Sequence, residues 1–417
     1  MELRGFKRTE AGVIPEAWAC STVRGSASRA RNAMVGGPFG SDLVSKDYVD
    51  DGVPVIRGQN MGAKTISGTF VFVNQEKARL LEANMARAGD VLFTQRGTLG
   101  QVSLVPNGPF DRYLVSQSQM KVSLNRDAVD PEFFYYLFSG PAQQEAIRLN
   151  TIQTGVPHIN LGILAAIPIP IPELTEQRAI AGALSDADAL IESLEQLLAK
   201  KRHLKQGAMQ ELLTGRRRLP GFAGEWEERS LGEIGESLIG LTYAPGDVRS
   251  SGVLVLRSSN VFEGGLRFDD NVYVDMEIPE RIMVRAADIL ICVRNGSRDL
   301  IGKCAKVDDR CKGMTFGAFM AVFRTASHGF VYHQFQADQL KRQIREHLGA
   351  TINQITNKSL NSFRIAIPPT SEEQEAIAKV LDDMGAEIDA LEAKLTKARQ
   401  IKQGMMQELL TGRIRLV

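Results

Sequence analysis

Four strand-like segments of the sequence end in arginine and are followed closely by residues with amide or hydroxyl side chains. An arginine side chain matches the two acceptors of guanine, and asparagine or glutamine matches the donor and acceptor of adenine. Such residues at strand ends could read base edges in DNA. The alternative is that the matched arginines form salt bridges or cap turns. The candidates for DNA contact are Arg57, Gln59, Asn60, Arg96, Thr98, Arg257, Ser258, Asn260, Arg294, Asn295 and Ser297.

Motifs of the common self-contained enzymes are absent from the sequence. The chain has no GxxxxGK[ST] phosphate loop, no HExxH zinc pair, no GxSxG nucleophile turn and no Asn/Asp-Pro-Pro-aromatic signature of adenine methylation. The glycine-rich segment Gly36–Ser41 has a proline where a phosphate-binding amide would be needed. The sequence therefore predicts a non-catalytic protein that carries no cofactor. The alternative is an enzyme whose carboxylates or histidines converge in a cleft that the sequence does not reveal.

Cysteine usage and hydropathy predict a cytoplasmic protein without a membrane span. The four cysteines show no CxxC pair, which favours reduced thiols. Zinc binding by Cys304, Cys311, His328 and His333 is an alternative, but their spacing fits no standard zinc finger. The start of the chain is charged, and the longest uncharged apolar stretch is short and broken by prolines.

The charge balance excludes a uniformly basic nucleic-acid coat, since 50 Lys and Arg face 49 Asp and Glu. Residues 1–157 carry 17 basic and 15 acidic side chains, whereas residues 219–354 carry 16 and 18. A net-acidic domain gains little phosphate affinity by itself. We therefore expect the second half to need partner proteins to hold DNA firmly, although a local basic patch would not show in these sums.

An internal duplication organises the chain. The heptapeptide QELLTGR occurs at Gln210–Arg216 and again at Gln407–Arg413, and the match extends without a gap at an offset of 197 residues. Between Glu173 and Leu219, 27 of 47 positions are identical to their counterparts. Upstream the match thins to short strand-like segments. Each half is thus predicted to be a variable globular domain followed by a well-preserved segment.

The preserved segments have the spacing of heptad helices. Apolar residues alternate at intervals of 4 and 3 from Ile180 to Leu198, and again from Ile377 to Leu395, which predicts two coiled-coil helices of about 39 residues. Their starts are predicted at a cap on Thr175 and a capping box from Ser371 to Gln374, and their ends at Gly215 and Gly412. Gly207 and Gly404, at matched positions, indicate either a close backbone contact or simple inheritance.

The globular halves predict α+β domains. Short strands are expected at Val53–Arg57, Asp90–Thr94, Gln119–Leu124, Val253–Arg257, Asp288–Val293 and Phe319–Phe323, with helices near Pro131–Leu149 and Tyr332–Leu348. The first long helix enters the second domain after only a few residues, so the second helix must turn back to bury its seam. The predicted fold is an internal pseudo-twofold repeat, in which two mixed domains are separated by a long antiparallel two-helix coiled coil.

At this point the sequence strongly resembles the specificity subunit of type I restriction-modification systems. The resemblance covers nearly the whole chain and lies in the GPFGS to GVPVIR opening, the AGDVLFTQRG segment, the IPIPELTEQRAIA helix entry and the twin KQGxMQELLTGR endings. It implies target recognition domains at residues 1–157 and 219–354, with conserved helical regions at 158–218 and 355–417. The second half departs from the family opening, with Ala244-Pro245-Gly246-Asp247 where the first has Gly37-Pro38-Phe39-Gly40.

The resemblance also implies partners. Each recognition domain would read half of a split sequence in double-stranded DNA, and the helices would bind two methyltransferase (modification) subunits. ATP-dependent restriction subunits would complete the assembly. The glutamines shared by both helical segments are the candidates for docking: Gln177, Gln206, Gln210, Gln374, Gln403 and Gln407. The alternative from another class is a coiled-coil adaptor without DNA specificity, which would leave the polar strand ends unexplained.

Overall fold

The fold is described from a computed structural model over residues 5–153, 155–349 and 353–416. The chain divides into two compact units. The first unit combines residues 1–194 with the final segment 394–417, and the second unit is the continuous segment 195–393. The division runs through the two longest helices, so each unit contains part of both.

The first unit is built on two small sheets. A four-stranded antiparallel sheet has the spatial order Val102–Leu104, Val91–Thr94, Gln119–Val122 and Met34–Gly36. A five-stranded sheet has the order Tyr48–Val49, Val71–Val73, Val53–Ile56, Tyr113–Val115 and Met85–Ala86. Its one parallel pair is Val53–Ile56 with Tyr113–Val115. Two further strand pairs join Phe6–Thr9 to Gly12–Pro15 and Ala19–Thr22 to Pro168–Ile171.

The helices of the first unit cover one face of the four-stranded sheet. The short ones are Val23–Ser26, Pro131–Ser139, Pro141–Leu149 and Leu161–Ala166, whereas Gln75–Leu80 packs through Ala78 in the core of the five-stranded sheet. Phe133, Phe134 and Phe138 are fully buried, and Phe138 packs edge-on against Phe93 of the sheet. Ile180 and Leu184 of the first long helix enter the same core. Burial of these apolar faces provides the main stabilisation of the unit.

The second unit repeats this plan. Its antiparallel sheet has the order Glu236–Ile239, Met320–Arg324, Ile289–Cys292 and Cys304–Lys306. Its other sheet has the order Val248–Arg249, Tyr273–Val274, Val253–Leu256 and Thr315–Phe316, again with one parallel pair. Strand pairs also join Glu227–Ser230 to Arg364–Ile367 and Val261–Phe262 to Gly265–Leu266.

The helices of the second unit again pack on the antiparallel sheet. They are Leu231–Ile234, His328–Gln336, Asp338–Leu348 and Asn357–Ser362, together with parts of the long helices. Phe330 and Phe335 are fully buried in a core that also takes Ile377 and Leu381 from the second long helix. The positions of Ile377 and Leu381 match Ile180 and Leu184, so the two halves seat their long helices through the same residues of the repeat.

Both long helices have 39 residues, as the heptad spacing predicts. The first long helix is Leu174–Leu212 and the second is Ser371–Leu409. In the first unit they run in opposite directions, since Asp188 pairs with Lys402 and Glu176 with Arg415. In the second unit Lys201 pairs with Glu387 and Arg218 with Glu373, so the two helices run in opposite directions there as well.

The ends of the long helices agree with the sequence only in part. Gly215 and Gly412 have φ values of 71° and 70°, the left-handed region that stops a helix. The predicted starts are wrong by one or two residues. Thr175 lies inside its helix, and the hydroxyl of Thr370, not Ser371, accepts a hydrogen bond from the Glu373 amide. Most residues at these starts are polar, so composition alone does not select the cap.

The strand predictions match within two residues at either end, whereas each predicted domain helix is two helices. The first breaks at Gly140, because Pro141 disfavours helical backbone in the residue before it. The second breaks at Ala337 without such a signal. A search of the described helices finds none with the length and apolar character to cross a membrane.

Candidate nucleic-acid interface

One tight turn occurs at the same place in both units, directly after a buried strand. In the first unit it is the 3-10 segment Gly58–Asn60, and in the second Ser258–Asn260. The Asn60 side chain accepts a hydrogen bond from the Arg57 amide at 3.0 Å, and that of Asn260 accepts one from the Arg257 amide at 2.9 Å. Each asparagine amide group therefore fixes the backbone that carries its arginine.

The same two asparagines also hold the following loop. Asn60 donates to the carbonyls of Ser67 and Thr69, both at 3.0 Å. Asn260 donates to the carbonyl of Arg267 at 3.1 Å. Asn60 is 2% exposed and Asn260 is fully buried. Their predicted base contact is thus corrected: these side chains point inward and position the turn, because their hydrogen-bonding capacity is used by the chain itself.

The arginines of the two turns are partly exposed but differ in their partners. Arg257 donates to Asp270 at 2.8 Å, whereas Arg57 has no ion pair among the described residues. The Nε atom of each is buried without a hydrogen-bond partner in the part of the chain that the structure describes. Gln59 is exposed beside Arg57 and donates to the Thr69 carbonyl at 3.1 Å. The turn of the first unit thus presents an arginine head group that forms no ion pair with any described residue.

In the second unit the predicted loop at Arg294–Ser297 lies beside the turn Ser258–Asn260. Asn295 donates to the Ser258 hydroxyl at 3.2 Å, so the two predicted clusters are brought together. Arg294 is exposed and stacks on the ring of Phe319, with 4.9 Å from guanidinium carbon to ring centre. Ser297 is exposed, and its amide donates to Asn295. Stacking on the exposed ring restricts the motion of the guanidinium group and leaves its N–H edge open to contact DNA.

The matching loop of the first unit is less tied down. Arg96 and Thr98 are both exposed. The Arg96 backbone bridges to His158, as that of Arg294 bridges to Gln354. No side-chain hydrogen bond joins Arg96 or Thr98 to the Arg57 turn among the described residues. A side-chain hydrogen bond thus joins the two predicted clusters in the second unit, and no such bond joins them among the described residues of the first.

The six glutamines proposed for docking separate into two groups. Gln206, Gln210, Gln403 and Gln407 are exposed on the long helices. Gln177 is fully buried and bonds to Asp130, Ala128 and Pro172, and Gln374 is 9% exposed and donates to the Pro368 carbonyl. Partner docking by Gln177 and Gln374 is corrected on this ground, since both amides fasten the start of a long helix to its own unit.

The cysteines of the second unit are buried, and their thiols stay protonated. Burial raises the pKa of Cys304 to about 12, and it also raises the pKa of Cys292 and of Cys311. Over residues 5–153, 155–349 and 353–416, no group of three or more His, Cys, Asp or Glu side chains is arranged to hold a metal ion. These thiols therefore act as small apolar side chains of the core.

Two buried ion pairs were missed by the sequence reasoning. Arg415 donates through Nε and Nη2 to Glu176, and Arg218 donates through the same atoms to Glu373. Both carboxylates are fully buried. We call these pairs the helix clasps, because each ties the residues after one long helix to the start of the other. Their signal was available, since all four positions are identical at the offset of 197 residues.

Comparison with known proteins gives a consistent result. The family model of the type I restriction modification DNA specificity domain matches residues 44–200 and 223–402. The proposed MjaX specificity subunit of a type I restriction enzyme from Methanocaldococcus jannaschii is 26% identical, over 99% of this chain and 97% of that protein. The EcoKI specificity subunit of Escherichia coli is 30% identical over 38% of this chain and 35% of its own length.

A solved structure shows the same fold. The crystal structure of a type I restriction-modification S subunit from M. genitalium superposes with a TM-score of 0.59 and is 18% identical. The match covers 94% of this chain and 96% of that chain. The likeness therefore extends over both units.

Proposed function

Because the chain belongs to the type I restriction-modification DNA specificity family, we propose that each of its halves reads one part of a split double-stranded DNA target. The reading domains are residues 1–157 and 219–354, and residues 158–218 and 355–417 form the helical regions. The subunit is non-catalytic and carries no cofactor. It acts in the cytoplasm, where DNA is present and its four free cysteines stay reduced.

The duplicated turn is the observation that carries this proposal. In both units a buried asparagine fixes the backbone of an arginine at the end of a strand. A rigid support is what base reading requires, because a misplaced guanidinium cannot meet both acceptors of a guanine. The exposed residues around the turns then supply the contacts. We assign these to Arg57, Gln59, Arg96, Thr98, Arg257, Ser258, Arg294, Asn295 and Ser297.

Two methyltransferase subunits are the proposed partners on the helical regions, and ATP-dependent restriction subunits are proposed to join the complex. Support comes from the first long helix, where Leu190, Leu197 and Leu204 are 54%, 39% and 48% exposed. Their seven-residue spacing places them along one side of the helix, outside the buried seam. The exposed glutamines Gln206 and Gln210 follow on the same helix. Such an apolar stripe suits a partner helix, whereas Gln206 and Gln210 face another side of the same helix and would make a separate contact.

We also propose that the long helices pair along their heptad seam as an antiparallel coiled coil. The seam residues Leu198, Ile388, Leu391 and Leu395 are at most 8% exposed, which supports a close pairing. A coil of fixed length would hold the two reading domains at a fixed separation. The target would then have a spacer of constant length between its half-sites.

The test is to assemble the full chain with its methyltransferase partner, incubate the complex with random-sequence DNA and sequence the methylated adenines. We expect one split sequence with a constant spacer. Methylation without any sequence preference would contradict the proposal and favour the adaptor alternative. A variable spacer between conserved half-sites would contradict the rigid coil alone.

Arg57→Ala and Arg257→Ala sharpen the same experiment. Each variant should weaken recognition at one half-site, by about 1–3 kcal/mol for a lost bidentate base contact. The two variants serve as each other's control, because the half-site read by the unchanged unit should keep its wild-type preference. Equal losses at both half-sites would instead indicate a general folding defect.

A further inference from the structure

A large groove lies within the second unit, beside the predicted reading loops. Its volume is ≈ 1430 Å³. One wall is the end of the first long helix, from Arg202 to Arg216, and the opposite wall is the helix Asp338–Leu348, which we call the basic helix. The segment from Arg298 to Cys304 lines it as well. All of these residues belong to the second unit, so the groove is complete within it.

The groove concentrates cationic side chains that form no hydrogen bond or ion pair in the described part of the chain. Five of its cations have no hydrogen-bond or ion-pair partner among the described residues, namely Arg216, Lys303, Lys341, Arg342 and Arg345. Its acidic residues are Glu263, Asp299 and Asp338, and Asp338 accepts a hydrogen bond from Gln210 at 3.2 Å. The net-acidic composition of residues 219–354 therefore hides a local basic surface.

The chemistry of the groove surface favours a phosphate backbone over a protein. The apolar floor is closed, since Leu213, Phe335, Ile344 and Leu348 are at most 4% exposed. Most of the charged side chains that line the groove are lysines and arginines. Protein interfaces are depleted in lysine, whereas arrays of unpaired cations are typical of contacts to nucleic-acid phosphates. The excess of cations over acidic residues therefore favours an anionic backbone as the occupant.

The groove is also joined to the predicted reading surface. Arg298, which lines the groove, directly follows the reading residues Asn295 and Ser297. It donates to the Asn353 side chain at 2.9 Å and to the Gly349 carbonyl at 2.8 Å. These bonds fix the reading loop to the end of the basic helix. A DNA strand contacted by the loop would thus reach the cations of the basic helix next.

The first unit has only one of the three cations of the basic helix at its matched positions. At the offset of 197 residues, Lys341 and Arg342 correspond to Gln144 and Glu145, and Arg345 corresponds to Arg148. Arg148 is already paired with Glu145 through two hydrogen bonds of 2.6 Å. The wall on the long helix is preserved in contrast, from Arg202 and Arg399 through to Arg216 and Arg413. The positive charge of the basic helix is thus a property of the second half alone.

We propose that this groove binds the phosphate backbone of the DNA next to the second half-site, with Lys341, Arg342 and Arg345 as the contacting residues. The inference rests on the proposed function, which brings DNA to the reading loops. It assigns a task that the reading residues do not perform. The groove supplies sequence-independent affinity to the half whose overall charge would otherwise repel DNA.

The test measures the salt dependence of DNA binding by the full chain in complex with its methyltransferase partner. The variant is Lys341→Gln/Arg342→Gln/Arg345→Gln, and the probe is a fluorescent duplex titrated by anisotropy at several sodium chloride concentrations. Each lost phosphate contact should reduce the slope of log Kd against log salt by about 0.9, so a reduction of about two to three is expected. The methylated sequence should stay unchanged, because phosphate contacts carry no base preference.

Two control variants make the result decisive. Lys341→Arg/Arg342→Lys/Arg345→Lys keeps the charge and should keep the wild-type slope. Arg148→Gln removes the matched but paired cation of the first unit and should also leave the slope unchanged. An unchanged slope in the triple glutamine variant would overturn the proposal. So would loss of the methyltransferase from that variant with normal salt dependence on DNA, which would make the groove a protein site.

The failure of this inference can be told from failure of the proposed function. If the wild-type complex has no sequence preference, the reading function is wrong, and the salt slope on any duplex still reports on the groove. If the preference is present and the slope does not change, only the groove assignment is wrong.

Discussion

The two units close the same junction with the same ion pair but with different aromatic support. In the first unit Glu176 receives two donors from Arg415 and a third from Trp18, whose Nε1 lies 3.0 Å from the carboxylate. In the second unit Arg218 is the one side-chain donor to Glu373 among the described residues. The Nε1 of Trp226 is buried without a partner among the described residues. Duplication thus preserved the charge pair, while the hydrogen bond from the tryptophan exists in one copy.

A second junction differs more strongly. Tyr136 of the first unit donates to Asp188 at 2.8 Å, and Asp188 also pairs with Lys402. At the matched position of the second unit, His333 lies 2.9 Å from Asp382, which also pairs with Lys306. Each junction therefore holds a long helix to its domain with an acid, a cation and a ring. Only the second ring belongs to a residue type whose ordinary pKa lies near neutral pH.

The largest expected effect comes from breaking the helix clasps. Removing one partner of a buried pair leaves an uncompensated charge, and Arg218→Ala should cost about 3 kcal/mol, the low end for such pairs because the arginine is partly exposed. Arg415→Ala should cost the first unit roughly 1–2 kcal/mol less, since Trp18 still donates to Glu176.

Fluorescence can follow each clasp separately, because Trp18 and Trp226 are the two tryptophans of the chain and lie in different units. Urea unfolding of the arginine variants would be measured in a Trp226→Phe background for the first unit and a Trp18→Phe background for the second. Lys379→Ala, which breaks an exposed pair with Asp383, is the control and should change little. Equal losses for both arginines would show that the Trp18 hydrogen bond adds no stability.

A smaller effect is expected from acid on the second junction. Burial lowers the pKa of His333, against the opposing effect of Asp382, and Lys205 and Lys306 lower it further. Its ring is 1% exposed, and its Nδ1 has no partner among the described residues, so a second proton there would be unsatisfied. The unfolded chain therefore takes up this proton more readily. The free energy of unfolding therefore has its full value with respect to His333 above about pH 6.5. It decreases as the pH falls from there through the lowered pKa of His333.

The hydrogen bond from His333 also lowers the pKa of Asp382 to about 2, so a second loss follows only below about pH 4. The urea midpoint of the second unit, read from Trp226, should therefore fall between pH 7 and pH 5. His333→Gln keeps a donor without the titration and should flatten this dependence. The first unit supplies the comparison, because burial raises the pKa of Tyr136 and keeps it neutral throughout. Identical acid sensitivity of His333→Gln and wild type would refute the assignment.

The smallest expected effect concerns the two matched glycines inside the long helices. A Cβ atom at Gly207 or at Gly404 would meet nothing within 4 Å. Within this chain the close-contact interpretation therefore has no support, and Gly207→Ala and Gly404→Ala should each stabilise their unit by about 1 kcal/mol. Thermal unfolding of the free chain measures this. If assembly with the methyltransferase weakens while stability rises, a partner backbone packs on these glycines; destabilisation of the free chain would contradict the expectation.

The sequence predicted the features that repeat. The heptad spacing located both long helices, because few structures other than a helix bury an apolar stripe of that period over 39 residues. The offset of 197 residues aligned the repeated helical segments of the two units. The pattern of arginine followed by polar residues located the turns. Asn60 and Asn260 were misassigned because an amide that reads adenine and an amide that holds a turn have the same chemistry. Only the fold shows which way such a side chain points.

The groove was beyond the sequence for a different reason. Its walls come from segments near residues 210, 300 and 340, and their cations come together only when the chain folds. Net charge over residues 219–354 even has the opposite sign. Arg415 was missed because a lone arginine near the end of the chain shows no pattern until its counterpart Arg218 is compared with it.

The helix clasp of the first unit also sets the order in which the chain can fold during synthesis. The second unit is one continuous segment, so it can complete its core while the last residues are still on the ribosome. The first unit needs Leu409 and Leu410 in its core and Arg415 on Glu176. Although it is translated first, it is finished last. A polypeptide truncated before Arg415 would therefore leave the buried Glu176 charge without its arginine. The stability lost would be that of the first unit, which is built mainly from residues 1–194.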